Sequence, residues 1–387
     1  MKPVQIKQDI YWVGGIDWDL RNFHGYLTQR GSTYNAYLIM DEKITLVDSV
    51  KHYLCDEMFE RISHIVDPAK IDYIVSNHVE MDHSGSIPMV KKVAKNATVF
   101  TSPKGLEGLT AHFGGDLNYK VVKTGDTLNI GKRNLTFVQT PMVHWPDNMV
   151  TYIPEEKLLL SNDAFGQHIA SSERFDDEYP LHIILEEAQK YYANIVLPFS
   201  SQVQKALQTV GGLDIETICP SHGIIWRANI PTILEQYKKW SANKTDNYAA
   251  IVYDTMWHST EKIAYAVQRA FEDMGIHTGM FNLQHTHISD IMTHVMTAKY
   301  ICVGSPTLNN GMLPTMGAFL TYFKGLAPRD RIGLAFGSYG WSGQSVSQVE
   351  DVLKACGFPT LSSIRLQYIP DEAKLQSITE QLKGELS

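Results

Sequence analysis

Asn77-His78-Val79-Glu80-Met81-Asp82-His83-Ser84-Gly85 follows directly on the apolar run Tyr73–Ser76 and places four potential metal-binding side chains within six residues. Were the strand to continue, these residues would alternate to opposite faces. A loop at a strand end instead turns them toward one centre. The bland reading, polar residues on a solvated loop, loses weight because the setting recurs three times. His144 follows the strand ending near Met142, Asp163 follows Leu158–Asn162, and His222 follows Thr217–Ser221. Each lies just past an apolar strand, so all can meet at one edge of a sheet sandwich. The sum is three carboxylates (Glu80, Asp82, Asp163) and four imidazoles (His78, His83, His144, His222). Seven donors are too many for one tetrahedral ion and suit two metals with a bridging carboxylate.

Around this segment the first 240 residues alternate short apolar runs with turn signals. Residues 36–40, 44–47, 73–75 and 135–138 read as strands by length and β-branched content, and 180–192 and 230–240 read as helices. The polar stretch Ser241–Asn247 reads as an interdomain linker. Beyond it the pattern becomes strand–loop–helix: strands over 248–253, 300–303 and 332–336, and a helix from about Thr260 to Met274. Strands alternating with helices at this spacing predict a doubly wound parallel sheet.

Three loops of that second half follow strands. Asp254-Thr255-Met256-Trp257-His258-Ser259-Thr260-Glu261 brings hydroxyls to a helix N-terminus, the setting that binds a phosphate monoester. Gly304–Gly311 and Gly337–Gly343 are rich in small residues and suit a planar ligand. Ligands sit at the carboxyl ends of strands in such sheets, so the three loops define one crevice. Neither G-x-x-x-x-G-K nor G-x-G-x-x-G occurs, so a nucleoside triphosphate and a Rossmann dinucleotide are not indicated.

The order H-x-E-x-D-H over 78–83 resembles the H-x-H-x-D-H motif of the metallo-β-lactamase superfamily, with Glu80 in place of the second imidazole. Added hard oxygen donors suit iron or manganese better than zinc. With Gly31–Leu38, His144–Asp147, Asn162–His168 and Pro220–Gly223, the segment resembles the flavodiiron (A-type flavoprotein) family, and the three later loops resemble those of flavodoxins. The phosphate loop departs from the usual T-x-T-G-N-T at Trp257, His258 and Ser259.

The resemblance implies an α/β chain: a metallo-β-lactamase-like αββα sandwich over 1–245 with two non-haem irons, and a flavodoxin-like domain over 248–387 with FMN. One iron would take His78, Glu80 and His144, the other Asp82, His83 and His222, and Asp163 would bridge. His24, His168 and one of the adjacent Tyr191 and Tyr192, with Tyr192 taken as the candidate, would supply protons or hydrogen bonds. FMN would contact Thr255, Met256, Trp257, His258, Ser259 and Thr260 at its phosphate. Its ring would meet Pro306, Thr307, Leu308, Asn309, Asn310 and Gly311 on one loop, and Ser338, Tyr339, Gly340, Trp341 and Gly343 on the other.

The implied activity is reduction of dioxygen, nitric oxide or both. The implied assembly is a homodimer or dimer of dimers, in which one chain's FMN serves its partner's irons. No C-x-x-C pair precedes Ser387, so electrons are expected from a separate donor such as rubredoxin or a reduced deazaflavin. Two rivals are a zinc hydrolase with an appended flavodoxin domain and an electron-transfer protein with a merely structural metal.

Bulk properties agree with a globular enzyme. The chain has 387 residues, 44% hydrophobic and 20% charged, with a formal net charge of -8. The acidic balance argues against nucleic acid as a partner. Four scattered cysteines fit reduced thiols, no apolar run is long enough to span a membrane, and no secretory signal opens the chain, so a cytoplasmic location is expected.

Overall fold

A computed structural model describes residues 1–387, which fall into two compact units: Met1–Tyr191 with Ser201–Lys238, and Tyr192–Ser200 with Lys239–Ser387. The first unit holds a seven-stranded and a five-stranded sheet. Two-residue alternation sorts the apolar side chains of each strand. Leu38, Leu46, Ile74 and Val99 face outward beneath helices Cys55–Ser63, Ile87–Val93 and Pro103–Phe113. Their neighbours Tyr37, Ile39, Val47, Val75 and Phe100 face inward, against Phe137, Met149, Leu158 and Leu160 of the second sheet. That sheet in turn presents Val150, Tyr152 and Leu159 to the other side, with Val210 of helix Ser200–Val210. The result is the expected αββα layering. Each fully buried Leu, Val or Phe contributes about 1.5–3 kcal/mol, and a one-residue slip would turn every such side chain to the wrong face.

Strand direction gathers the metal-site candidates. Thr45–Val47, Tyr73–Ser76 and Thr98–Thr101 run parallel in the first sheet. In the second, Asn134–Gln139 and Leu158–Asn162 flank the antiparallel Met149–Ile153, and Thr217–Pro220 runs parallel to Leu158–Asn162. The candidate residues therefore all follow carboxyl ends of strands. Two short hairpin pairings, Gly15–Asp17 with Ser32–Tyr34 and Asn22–Phe23 with Tyr26–Leu27, carry His24 and were not legible as strands. Within the 77–85 loop, Met81–Ser84 forms one helical turn.

The second unit is a five-stranded, all-parallel sheet. Its spatial order is His277–Asn282, Asp246–Tyr253, Ala298–Gly304, Ile332–Tyr339, Ile364–Gln367. In chain order this is 2-1-3-4-5, with the topological switch between Asp246–Tyr253 and Ala298–Gly304, where a ligand belongs. Helix Ser259–Asp273 starts just past the first of those strands.

Three sequence expectations shift. Ser241–Asn247 is not a free linker: Ser241 ends helix Ile230–Ser241, strand Asp246–Tyr253 begins soon after, and the Asn243 carbonyl accepts from Arg331 Nη1 at 3.1 Å. Strand Ile332–Tyr339 runs through the first half of the anticipated Gly337–Gly343 loop. The helix over 180–192 ends at Tyr191 and passes into a π-turn over Tyr192–Val196. No helix is long and apolar enough to cross a membrane.

Candidate functional site

The seven candidate metal-binding side chains meet at one place in two groups. His78, Glu80, His144 and Asp163 form one; Asp82, His83 and His222 form the other. Asp163 faces both. Its Oδ2 lies 3.2 Å from His144 Nε2 and 3.7 Å from His78 Nε2, and its Oδ1 lies 3.0 Å from His83 Nε2 and 3.5 Å from His222 Nε2. Glu80 Oε2 lies 3.4 and 3.5 Å from His78 and His144, while Asp82 lies 3.4 and 3.3 Å from His83 and His222. Two ligand atoms each about 2.1 Å from a shared ion stand roughly 3.0–3.6 Å apart for coordination angles of about 90–120°, and all of these spacings but the longest fall in that range. Both oxygens of Asp82 and Asp163, and His83 Nε2, are buried without a hydrogen-bond partner. Such orphaned groups call for an explanation, and cations supply one.

The surrounding residues aim the ligands. Asp147 Oδ2 lies 2.9 Å from His78 Nδ1, and the Thr33 carbonyl lies 2.8 Å from His222 Nδ1. Both partners favour a proton on Nδ1, which leaves Nε2 as the donor atom toward the centre. Burial opposes charge on these imidazoles, yet the carboxylates prevail. Against that burial, Asp147 and Glu80 push His78 up to about 10, Asp163 and Glu80 push His144 up to about 10, and Asp82 and Asp163 push His83 up to about 9. Burial likewise works against ionised Asp163, but His83, His144 and His78 together outweigh it and hold that carboxyl well below the usual range. The cluster is built to stabilise positive charge, whether carried by protons or by metal. Asp147, which the sequence reading left without a role, stands three residues after His144 in a quoted string; that spacing was its available signal.

Of the accessory candidates, His24 joins the site directly. Its Nε2 lies 2.7 Å from Glu80 Oε1, its side chain is 64% exposed, and the hydrogen bond to Glu80 raises its affinity for a proton. His168 is fully buried, with Nδ1 2.7 Å from Ser32 Oγ and its ring 4.8 Å from that of His222. Burial, then the neighbouring His222, hold it well below the usual imidazole range.

Of the two adjacent tyrosines, Tyr191 rather than the candidate Tyr192 lies beside the cluster. The Tyr191 ring lies 5.2 Å from His168 and 5.9 Å from His222, whereas Tyr192 packs on Trp240 and its hydroxyl lies 3.1 Å from Ser200 Oγ. Consecutive residues of a helix point about 100° apart, so only one of the pair faces the cluster. Tyr191→Phe should lower turnover several-fold with metal and flavin content intact. Tyr192→Phe should leave turnover alone and cost about 1 kcal/mol of stability. Steady-state assays beside thermal melts check both, and equal turnover losses would count against the assignment.

In the second unit a crevice of about 570 Å³ opens at the switch point. Met256, Trp257 and Ser259 line it from the first loop, Pro306–Asn309 from the second and Ser338–Trp341 from the third. Trp257 and Trp341 are 85% and 79% exposed, unusual for indoles unless something covers them. The volume suits a cofactor. The Thr255 hydroxyl is buried and without a partner beside the N-terminus of Ser259–Asp273, which fits a phosphate group.

The remaining anticipated contacts shape the loops rather than the wall. Thr260 Oγ1 pairs with Ser338 Oγ at 2.9 Å, and His258, in a left-handed conformation, lies 2.7 Å from Glu261 through Nδ1. Asn310 and Gly343 take positive φ, and Leu308 and Gly311 exchange backbone bonds of 2.9 Å. Tyr368 and Ile369 also line the crevice and were missed, because the strand before them, Ile364–Gln367, went unread.

Residues 33–223 match the family described as ODP family beta lactamase, and 251–381 match flavodoxin. The chain is 44% identical to the nitric oxide reductase of Moorella thermoacetica, covering 98% of this chain and 97% of that relative. It is 41% identical to the rubredoxin-oxygen oxidoreductase of Megalodesulfovibrio gigas across the whole of both. The chain belongs to the flavodiiron family. Among solved structures, the flavodiiron protein of Giardia intestinalis superposes with a TM-score of 0.96 at 34% identity, over 99% of this chain and 96% of that one. As a flavodiiron protein the chain is an oxidoreductase whose cofactors are a di-iron centre and FMN, and the orphaned donors and the phosphate-ready loop fit both. The zinc-hydrolase alternative falls away.

Proposed function

We propose that this flavodiiron protein reduces dioxygen to water, nitric oxide to nitrous oxide, or both, with electrons passing through FMN from a separate donor. The observation that carries the reading is Asp163, whose two carboxylate oxygens face two separate groups of donors. His78, Glu80 and His144 would hold one iron, Asp82, His83 and His222 the other, with Asp163 between. When bound, a diferrous pair and a reduced flavin together supply four electrons, enough to take dioxygen to two waters, and the iron pair alone supplies the two needed to couple two nitric oxides.

The chain's own residues manage protons and access. His24 Nε2 holds a proton against Glu80 at the exposed rim, where water can replace it. Tyr191 stays protonated because burial, and then Asp163, push its hydroxyl well up, so it offers a hydrogen bond rather than a charge. Neutral His168 positions the inner wall.

The division of labour proposed is metal binding by residues of 1–245 and FMN binding by residues of 248–387, with Tyr192–Ser200 and the chain from Lys239 on packing in the second unit. A rubredoxin or a reduced deazaflavin is the proposed donor, a homodimer or dimer of dimers the proposed assembly, and the cytoplasm the proposed location. Anaerobic gas-uptake assays with dioxygen and with nitric oxide, under identical reducing conditions, test the function. Iron-replete, FMN-loaded protein should consume at least one gas; consumption of neither would sink the reading.

A further inference from the structure

Beside the metal-bearing loops lies a cavity of about 30 Å³ that the reaction as described does not use. It sits where helix Ser200–Val210 covers the outer face of the second sheet. The helix presents Val203, Ala206 and Leu207 to it, at the spacing of one helical face, and Leu159 of the sheet lies across. Val143 and Phe165 complete the wall. These two belong to the loops that carry His144 and Asp163, one residue before the first and two after the second. The surface facing the cavity is apolar although Thr140, Ser161 and Tyr237 share in the wall: the Ser161 hydroxyl donates to the Ala164 carbonyl at 2.8 Å, and the Tyr237 hydroxyl accepts from Phe165 N at 2.6 Å.

Roughly 10–15 Å³ is enough to hold one water, but apolar walls offer that water no partners and favour xenon or small apolar guests instead. Dioxygen and nitric oxide are diatomics of the right size. They forfeit little hydration and gain dispersion contacts from the wall. We propose that this cavity is a docking site for the diatomic gas substrate, holding it beside the ligand loops ahead of reaction. The proposal rests on the gas-reductase reading above. Docking raises the chance of capture at low gas and does nothing once gas saturates, so its signature belongs to kcat/KM rather than kcat.

Xenon pressurisation of the iron- and FMN-loaded protein, read by diffraction or xenon NMR, tests the site without turnover. Xenon should occupy the cavity of the natural protein. Ala206→Leu should exclude it and lower kcat/KM for the gas several-fold, with kcat, iron and FMN unchanged. Leu207→Ala should enlarge the space and raise xenon occupancy, and this decides the matter should Ala206→Leu fail to fold. No xenon in the natural protein, no gain in Leu207→Ala, or an Ala206→Leu protein that excludes xenon yet keeps its kcat/KM would overturn the proposal. Gas reduction without xenon uptake would remove the site and leave the function. Xenon uptake without any gas reduction would remove the function, and with it the gas as occupant.

Discussion

Replacing Asp163 with alanine should cut iron from about two per chain to below one and lower gas reduction by about 100-fold or more, while FMN stays bound. Asp163 is the one carboxylate whose oxygens approach imidazoles of both groups, at 3.0 to 3.7 Å. Without it each group keeps two imidazoles and one carboxylate, and two divalent cations would sit close together with no shared anion to screen them. At short range and low dielectric that repulsion amounts to several kcal/mol. Asp163→Asn, which keeps the shape and removes the charge, should fall between. Iron content by elemental analysis, with FMN absorbance as the internal control for folding, makes the comparison. An Asp163→Ala protein with its full iron complement would show that the two donor groups do not share this bridge.

A mixed dimer should show the second large effect. One chain carries His83→Ala to disable its irons. The other carries Ser259→Ala with Thr260→Ala to weaken its FMN site, since Ser259 lines the crevice and Thr260 is tied to Ser338 at its floor. If each flavin serves the partner's irons, the FMN-intact chain feeds the iron-intact one and about half the activity survives, whereas each mutant homodimer is dead. If transfer stays within a chain, the mixed dimer is dead as well. Differential affinity tags isolate the mixed species, and a folded, inactive mixed dimer excludes transfer between chains. The isologous pairing behind this expectation comes from the family resemblance, so the experiment examines assembly and leaves the site chemistry untouched.

Much of the site was legible because its residues obey one local rule. His78, His144, Asp163 and His222 each follow the carboxyl end of an apolar run, and parallel strand direction then gathers them. Alternation such as Leu38 against Tyr37 and Ile39 made the sandwich legible too, since period-two patterns survive in a single sequence. What escaped depends on rotation or on distant packing. Tyr191 and Tyr192 are chemically identical neighbours, and the register that aims one of them is set by where the helix yields to a π-turn. Tyr368 and Ile369 reach the crevice only because Ile364–Gln367 takes the edge of the sheet, a placement that its mixed Ile-Arg-Leu-Gln pattern does not announce. The polar stretch at 241–247 misled for a third reason: Asn243 is polar because its backbone and side chain serve Arg331 and Arg329, not because it faces water.

The stretch Tyr192–Ser200 has a bearing on how such a protein can be taken apart or put together. It belongs to the second unit, where Asn194 accepts from Tyr322 at 2.8 Å and donates to the Ser289 carbonyl at 3.0 Å, yet its codons lie inside the reading frame of the first. The chain thus passes from one unit to the other at 191/192, again at 200/201 and finally at 238/239. A gene cut anywhere near residue 245 would yield a flavin module missing a segment that packs within it and a metal module carrying that segment as surplus. Recombination that shuffles whole domains at a single linker would meet the same obstacle, so separating the two halves of this protein takes three cuts rather than one.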